Sequence, residues 1–152
     1  MSQPTAAMLV IGDEILSGRT RDSNLYHLAQ ELTRIGITLR EARVVADQHQ
    51  DIVAAVRDLS AKHTHVFTSG GIGPTHDDIT ADAVADAMFA RISHRADAMA
   101  LLQAHYDRAG LPFNEARQRM ARVPDGARLI DNPVSTAPGF TIGNVHVMAG
   151  VP

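Results

Sequence analysis

The segment Val66–Thr80, VFTSGGIGPTHDDIT, constrains this chain more than any other. An apolar run stops in a cluster of three glycines. A proline and two adjacent aspartates follow, and a helix-like pattern then begins. A buried strand that turns through glycine into a helix is the elementary unit of an α/β domain. Clustered glycines let backbone N–H groups come close to a phosphate. Adjacent carboxylates are poor phosphate ligands alone but good ligands for a bridging hard cation. The segment therefore reads as a phosphate and metal site at the carboxyl end of a buried strand.

The rest of the chain repeats the strand–helix alternation. Ala6–Ile11 is a short apolar run suited to a central strand. A helix begins near Asp22 or Ser23, shows Leu25, Leu28, Ala29, Leu32 and Ile35 at helical spacing, and stops at Gly36. Thr38–Ala46 alternates imperfectly as a second strand. Asp47 and Gln50, three apart, resemble a capping box for the next helix, whose apolar face is Ile52, Val53, Val56 and Leu59. Thr64–Thr68 is a third strand, and a helix runs from about Ile79 to Phe89. Another covers Arg95–Arg108 with Met99, Leu102 and Tyr106 inward, and a shorter one starts after Asn114. Arg128–Ile130 and Asn144–Met148 are late strands. This order predicts an α/β fold, a three-layer sandwich with a mainly parallel central sheet. The expected organisation is a single domain over residues 1–152, lacking a carboxy-terminal helix or extension because AGVP stops just after a strand.

Composition narrows the chemistry. With no cysteine, disulfides and thiolate catalysis are excluded. The histidines are dispersed, and no Lys/Arg block resembles a nucleic-acid arm. No apolar run is long enough to span a membrane, and no signal-type segment opens the chain. Nucleic acid and membrane are therefore not expected partners, and the cytoplasm is the expected compartment. Arginine supplies nearly all the positive charge, which favours phosphate or carboxylate pairing.

Three loops follow three of the strands. The first carries Asp13, Glu14 and Ser17, with Asp22 and Asn24 just beyond. The second carries Gly70, Gly71, Gly73, Thr75, Asp77 and Asp78. The third is Asn132–Gly139, NPVSTAPG, with Asn132, Ser135 and Thr136. In open parallel sheets ligands collect beyond the carboxyl ends of the strands. The glycine pattern is neither the dinucleotide fingerprint nor a P-loop. A helix starting near Ile79 offers backbone N–H groups to an anion, but Asp77 and Asp78 repel a bare phosphate there. A magnesium ion or another divalent cation between them removes the conflict. Structural readings stand beside these. Asp77 and Asp78 could cap the next helix, Gly70 and Gly71 could serve a tight turn, and Asp13 and Glu14 could be solvated loop charges. Asp22 could cap its helix, and His76 could simply face solvent.

GDEILSGRTRDSN at Gly12–Asn24, TSGGIGPTHDDIT at Thr68–Thr80, NPVSTAPG and the terminal AGVP carry a resemblance across nearly the whole chain. In that order they resemble the molybdopterin-binding domain family of molybdenum cofactor biosynthesis, particularly the amino-terminal domain of the competence/damage-inducible CinA proteins. The resemblance implies a three-layer α/β fold that binds a pterin or nucleotide-diphosphate small molecule and self-associates as a homo-oligomer. It places Gly70, Gly71 and Gly73 at the ligand phosphate. Asp77 and Asp78 take the catalytic and metal position, with Asp13 and Glu14 opposite. Thr75, Ser17, Asn24, Asn132 and Thr136 are further ligand-facing candidates. The activities it implies are magnesium-dependent hydrolysis of ADP-ribose-like pyrophosphates, or adenylylation of molybdopterin and molybdenum insertion. A non-catalytic pterin- or nucleotide-binding module is the third possibility. Ser135 stands where such loops usually carry glycine, and these motifs give no expectation of nicotinamide mononucleotide deamidation or FAD synthesis.

Overall fold

The sheet is built outward from its most apolar strand. β1 (Thr5–Ile11) is buried at every position from Ala6 onward. Ala7, Leu9 and Ile11 join the large apolar cluster on one face, while Ala6, Met8 and Val10 are equally buried on the other. A strand covered on both faces reads as a continuous apolar run, which is why it is visible in the sequence. The computed structural model describes residues 3–72, 75, 78–130 and 138–148.

After β1 the chain forms a one-turn helix α1 (Asp13–Leu16), α2 (Asn24–Arg34), β2 (Thr38–Val45), α3 (His49–Lys62) and β3 (His65–Ser69). It continues through α4 (Thr80–Ala87), β4 (Ile92–His94), α5 (Ala96–Ala109) and α6 (Glu115–Gln118). A 3₁₀ turn (Arg119–Ala121) leads into β5 (Arg122–Pro124), β6 (Arg128–Ile130), β7 (Gly139–Ile142) and β8 (Val145–Met148). The main sheet has the order β2-β1-β3-β8-β7-β6. β2, β1, β3 and β8 run parallel, and β7 and β6 complete the sheet antiparallel. β4 and β5 form a separate antiparallel ribbon. Helices flank the central sheet: α2 packs on β2, and α3 packs on β1, β2, β3 and α4. The expected α/β architecture is the observed one.

Local sequence explains the elements. α3 buries Ile52, Val53, Val56 and Leu59 at helical spacing. α5 buries Leu102, and Met99 and Tyr106 pack against the core. α2 buries Leu32 and ends in a left-handed Gly36 (φ +85°), where the Ile37 N–H donates to Leu32 O and the Gly36 N–H to Thr33 O. This 6→1 and 5→2 pairing satisfies the last carbonyls. Ile35, expected inward, lies beyond the last turn and is 58% exposed. β2 alternates strictly between exposed and half-buried positions, as an edge strand should.

Several elements depart from the expectations, among them the one-turn helix α1 and the short strands β4 and β5, which were not anticipated. The helix after the glycine loop ends at Ala87, and Phe89 adopts the left-handed conformation (φ +58°) that glycine usually supplies at such a stop. β7 was not expected. It is joined to β8 by the tight Gly143–Asn144 turn, and its four residues carry too little periodicity to stand out. The Asp47/Gln50 pair does not box the next helix. α3 starts at His49 behind an extended Gln48, with no side-chain cap, because Asp47 is committed elsewhere.

Candidate functional site

The strand order reverses beside β1. From β1 the chain steps outward to β2, then crosses back to β3 on the other side. The crevice beyond the carboxyl ends of β1 and β3 is the switch point where open α/β sheets bind ligands.

Backbone and carboxylate contacts tie the strand ends together. The Gly12 N–H donates to Val45 O (3.0 Å), joining the end of β1 to the end of β2. The Asp13 N–H donates to Asp47 Oδ2 and the Asp47 N–H to Asp13 Oδ1, both at 3.0 Å. This reciprocal clasp holds two carboxylates side by side at one rim. The Glu14 carboxylate folds back over Gly12, where a Cβ would collide with it. Ser17 is turned into its own loop: its Oγ donates to Glu14 O (3.3 Å) and accepts from Arg19 Nε (3.2 Å). Asp22 accepts from the Asn24 and Leu25 N–H groups at 3.2 and 3.0 Å, so it caps the start of α2.

The glycine loop is shaped by the protein's own atoms. Gly70 (φ +95°) lies against the Ile11 carbonyl and Gly71 (φ +73°) against the Thr80 hydroxyl, with no space for a Cβ at either position. Thr80 is fully buried; its Oγ1 donates to Gly70 O (2.9 Å) and its N–H to Gly71 O (3.1 Å). Glycine is thus required at Gly70 by close backbone packing and at Gly71 by its positive φ and the buried Thr80 hydroxyl, whatever else the loop contacts. Asp78 does not cap α4, whose first turn has no side-chain cap. Its Oδ2 instead accepts from the Thr75 N–H (3.0 Å) and the Thr75 hydroxyl (2.8 Å), which fixes the carboxylate's direction.

These pieces surround one cleft of about 530 Å³, lined by Ile11, Asp13, Glu14, Arg19, Asp47, Gln48, Gly71, Asp78 and Ile79. A smaller cavity of about 130 Å³ lies over the β1–β3 crevice and is lined in part by Glu14, Asn24 and Gly70. Asp13, Glu14, Gly71 and Asp78 are therefore brought together, while Ser17 lines neither space. Pro138, at the end of the third loop, faces Gly71 and Asp78 across a narrow third pocket. Gly73, His76, Asp77, Asn132, Ser135 and Thr136 lie outside the described residues.

The cleft is electrostatically frustrated. Burial pushes the Asp47 carboxyl above the usual carboxylate range, and the charges of Asp13, Glu14 and Asp78 push it further. The Asp13 N–H works in the opposite direction. Asp47 is the carboxylate that the sequence reading missed. Its spacing to Gln50 matches a helix cap, and the loop after β2 has no glycine and no adjacent carboxylate pair to single it out. Among the described residues no group of three or more His, Asp or Glu side chains is drawn together tightly enough to hold a metal ion. The donor set is nevertheless the oxygen-only set that a hard divalent cation takes.

An open, mainly parallel sheet with a polar cleft at its switch point defines a small-molecule-binding α/β domain. The chain belongs to the molybdopterin-binding domain family: the family model described as "Probable molybdopterin binding domain" matches residues 7–152. Its sequence is 40% identical over 153 residues to a protein of Pyrobaculum calidifontis, covering 98% of this chain and 58% of that one. It is 35% identical to a protein of Metallosphaera sedula, again covering 58% of the relative, so the chain spans just over half the length of these curated relatives. Among solved structures it superposes on the protein CinA with unknown function from Thermoplasma acidophilum with a TM-score of 0.89 and 35% identity. That match covers 99% of this chain and 90% of the other. The tungsten cofactor synthesizing protein MoaB from Pyrococcus furiosus shares the fold at a TM-score of 0.60 and 16% identity, over 99% and 84% of the two chains.

Proposed function

We propose that the cleft beyond β1, β2 and β3 binds a phosphorylated pterin or nucleotide together with a divalent cation, in the handling of a molybdopterin-type cofactor. The observation that carries this reading is the convergence of Asp13, Glu14, Asp47 and Asp78 with Gly71 on one cleft at the switch point. Four carboxylates around a ligand site disfavour a bare anion and favour one that arrives with a cation. The family match and the cofactor-synthesis proteins that share the fold support the pterin class of ligand.

In this reading Asp78, oriented by Thr75, and the clasped pair Asp13 and Asp47 would move together to hold magnesium, with Asp77 and Glu14 as further oxygen donors. The bound ion would offset their mutual repulsion and polarise a phosphoryl oxygen. Gly71 and Gly73 would let the phosphate lie close to the loop backbone, and Asn24 would line the adjoining crevice. Asn132 and Thr136 would approach from the third loop. Adenylyl transfer to molybdopterin, metal insertion and simple binding would each be served by this arrangement. The excess of carboxylates also favours a second reading, hydrolysis of an ADP-ribose-like pyrophosphate. Self-association belongs to the same proposal on the strength of the resemblance.

Product analysis separates the readings. Adenylylated molybdopterin from ATP indicates transfer, AMP from ADP-ribose indicates hydrolysis, and saturable binding without product indicates a binding module. In every case Asp78→Asn should weaken magnesium-dependent turnover or binding by about 100-fold, the effect of losing one important electrostatic contact. Its unfolding midpoint should stay near that of the wild type. Unchanged magnesium-dependent behaviour in the variant would remove Asp78 from the site.

A further inference from the structure

Three buried side-chain polar atoms have no hydrogen-bond partner among the described residues: His63 Nδ1, Thr68 Oγ1 and Arg119 Nε. Arg119 alone of these carries a fixed charge, and it alone lines a pocket beside the glycine loop. That pocket contains Gly71, Asp78, Asp82, Arg119, Arg122 and Pro138, among others, and shares Gly71 and Asp78 with the large cleft. The wall formed by Gly71 and Asp78 therefore stands between the large cleft, which holds Asp13, Glu14, Asp47 and Arg19, and a narrow pocket that holds Asp82, Arg119 and Arg122.

The two arginines differ in availability. Arg122 is spent on Asp82, which it grips through both terminal nitrogens at 2.9 and 2.7 Å. Arg119 has no ion pair or side-chain hydrogen bond among the described residues. It sits at the start of the 3₁₀ turn, and this turn is well anchored. Ala121 is buried, its carbonyl accepts from the Arg95 N–H (3.0 Å), and the preceding helix is capped by Asn114. A guanidinium donor held out of water without an acceptor is costly, and such groups are normally paired. Its planar fork of donors matches the oxygens of a phosphoryl group.

We infer that Arg119 is a phosphoryl-recognition residue, acting from the narrow pocket that adjoins the carboxylate cleft at Gly71 and Asp78. This inference rests on the reading of the cleft as a phosphate-ligand site. It assigns Arg119 a positioning and specificity role that its sequence context, EARQRMAR, does not reveal. The ligand's phosphoryl oxygens would be shared between a cation on the carboxylate side and the guanidinium on the other. The paired Arg122 would keep Asp82 from competing for Arg119.

The test is calorimetric titration of wild type, Arg119→Gln and Arg119→Lys with inorganic pyrophosphate and with AMP, at constant magnesium, alongside thermal unfolding of each ligand-free protein. Arg119→Gln should weaken pyrophosphate binding about tenfold or more, the loss expected when a hydrogen bond to a charged group is removed. Arg119→Lys should fall between, because an ammonium keeps the charge and loses the fork. The ligand-free midpoint of Arg119→Gln should equal or exceed that of wild type. An equal loss with AMP would assign the phosphoryl group next to the nucleoside; a loss with pyrophosphate alone would assign a diphosphate. Affinity for both probes within about twofold of wild type would overturn the role of Arg119. So would a lowered ligand-free midpoint in Arg119→Gln that Arg119→Lys restores. Failure of the wild type to bind either probe would overturn the cleft reading itself.

Discussion

At the scale of single residues, Asp47 holds most of the information about the cleft. Its N–H and carboxylate form the clasp with Asp13, and its carboxyl is shifted upward first by burial and then by three neighbouring acids. The sign of the consequence is fixed. A carboxyl with a raised folded-state pKa binds its proton more tightly in the folded state than in the unfolded one. Its contribution to stability is therefore greatest below the ordinary carboxylate range and is lost as pH rises through that range to the raised value. Asp47→Asn keeps an acceptor for the Asp13 N–H and removes the charge. Ligand-free Asp47→Asn should unfold at or above the wild-type temperature at neutral pH, and the difference between the two proteins should shrink on acidification. Magnesium should stabilise the wild type and leave the variant nearly unaffected. Circular dichroism melts across mildly acidic to neutral pH, with and without magnesium, measure all three effects. A variant that is less stable at neutral pH than at acid pH, relative to wild type, would contradict the assignment.

At the scale of elements, the glycine loop and α4 form one unit through Thr80. Gly70 lies against an immovable carbonyl, that of Ile11, whereas Gly71 lies against a side chain, the hydroxyl of Thr80. Gly70→Ala should therefore be the more damaging change, costing about 3 kcal/mol or more from strain and overpacking. Gly71→Ala should be partly rescued when combined with Thr80→Ala, with a coupling of about 1 kcal/mol in denaturant melts. Strict additivity would mean that the loop does not rest on Thr80. The same unit shows how far sequence reading reaches. The run ending in glycines announced a strand, a turn and a helix, and each is present. The reason for two of those glycines lies in Ile11 and Thr80, which the sequence places far from them or gives no cause to single out. β1 and α3 were legible because burial imposes an unbroken apolar run or a helical period. β7 and the β4–β5 ribbon were not, because three- or four-residue strands are defined by partners distant in the chain. Asp47 was misread because its spacing to Gln50 suits a helix cap, while its clasp partner Asp13 lies far away in the chain.

At the scale of the whole molecule, the order β2-β1-β3-β8 decides where function can reside. Two successive crossovers in opposite directions open a crevice beside β1, and Asp13, Glu14, Asp47 and Asp78 collect there from three loops. The predicted three-layer sheet explains why residues near positions 13, 47 and 78 share one cleft although they are far apart in the chain. The antiparallel β7–β6 extension lies at the opposite edge, and Pro138, just before β7, lines a pocket with Gly71 and Asp78. The same fold in a CinA protein, at 35% identity, shows that this framework tolerates extensive sequence change. The central claim is that the carboxylates act together around a cation. It is tested most directly by the anomalous scattering of manganese, substituting for magnesium, in crystals grown with a nucleoside diphosphate. The account predicts one strong peak in the cleft, coordinated by Asp78 and by a carboxylate from the Asp13–Asp47 rim, with ligand phosphate beside Gly71. A ligand seated elsewhere, with no manganese between these rims, would contradict it.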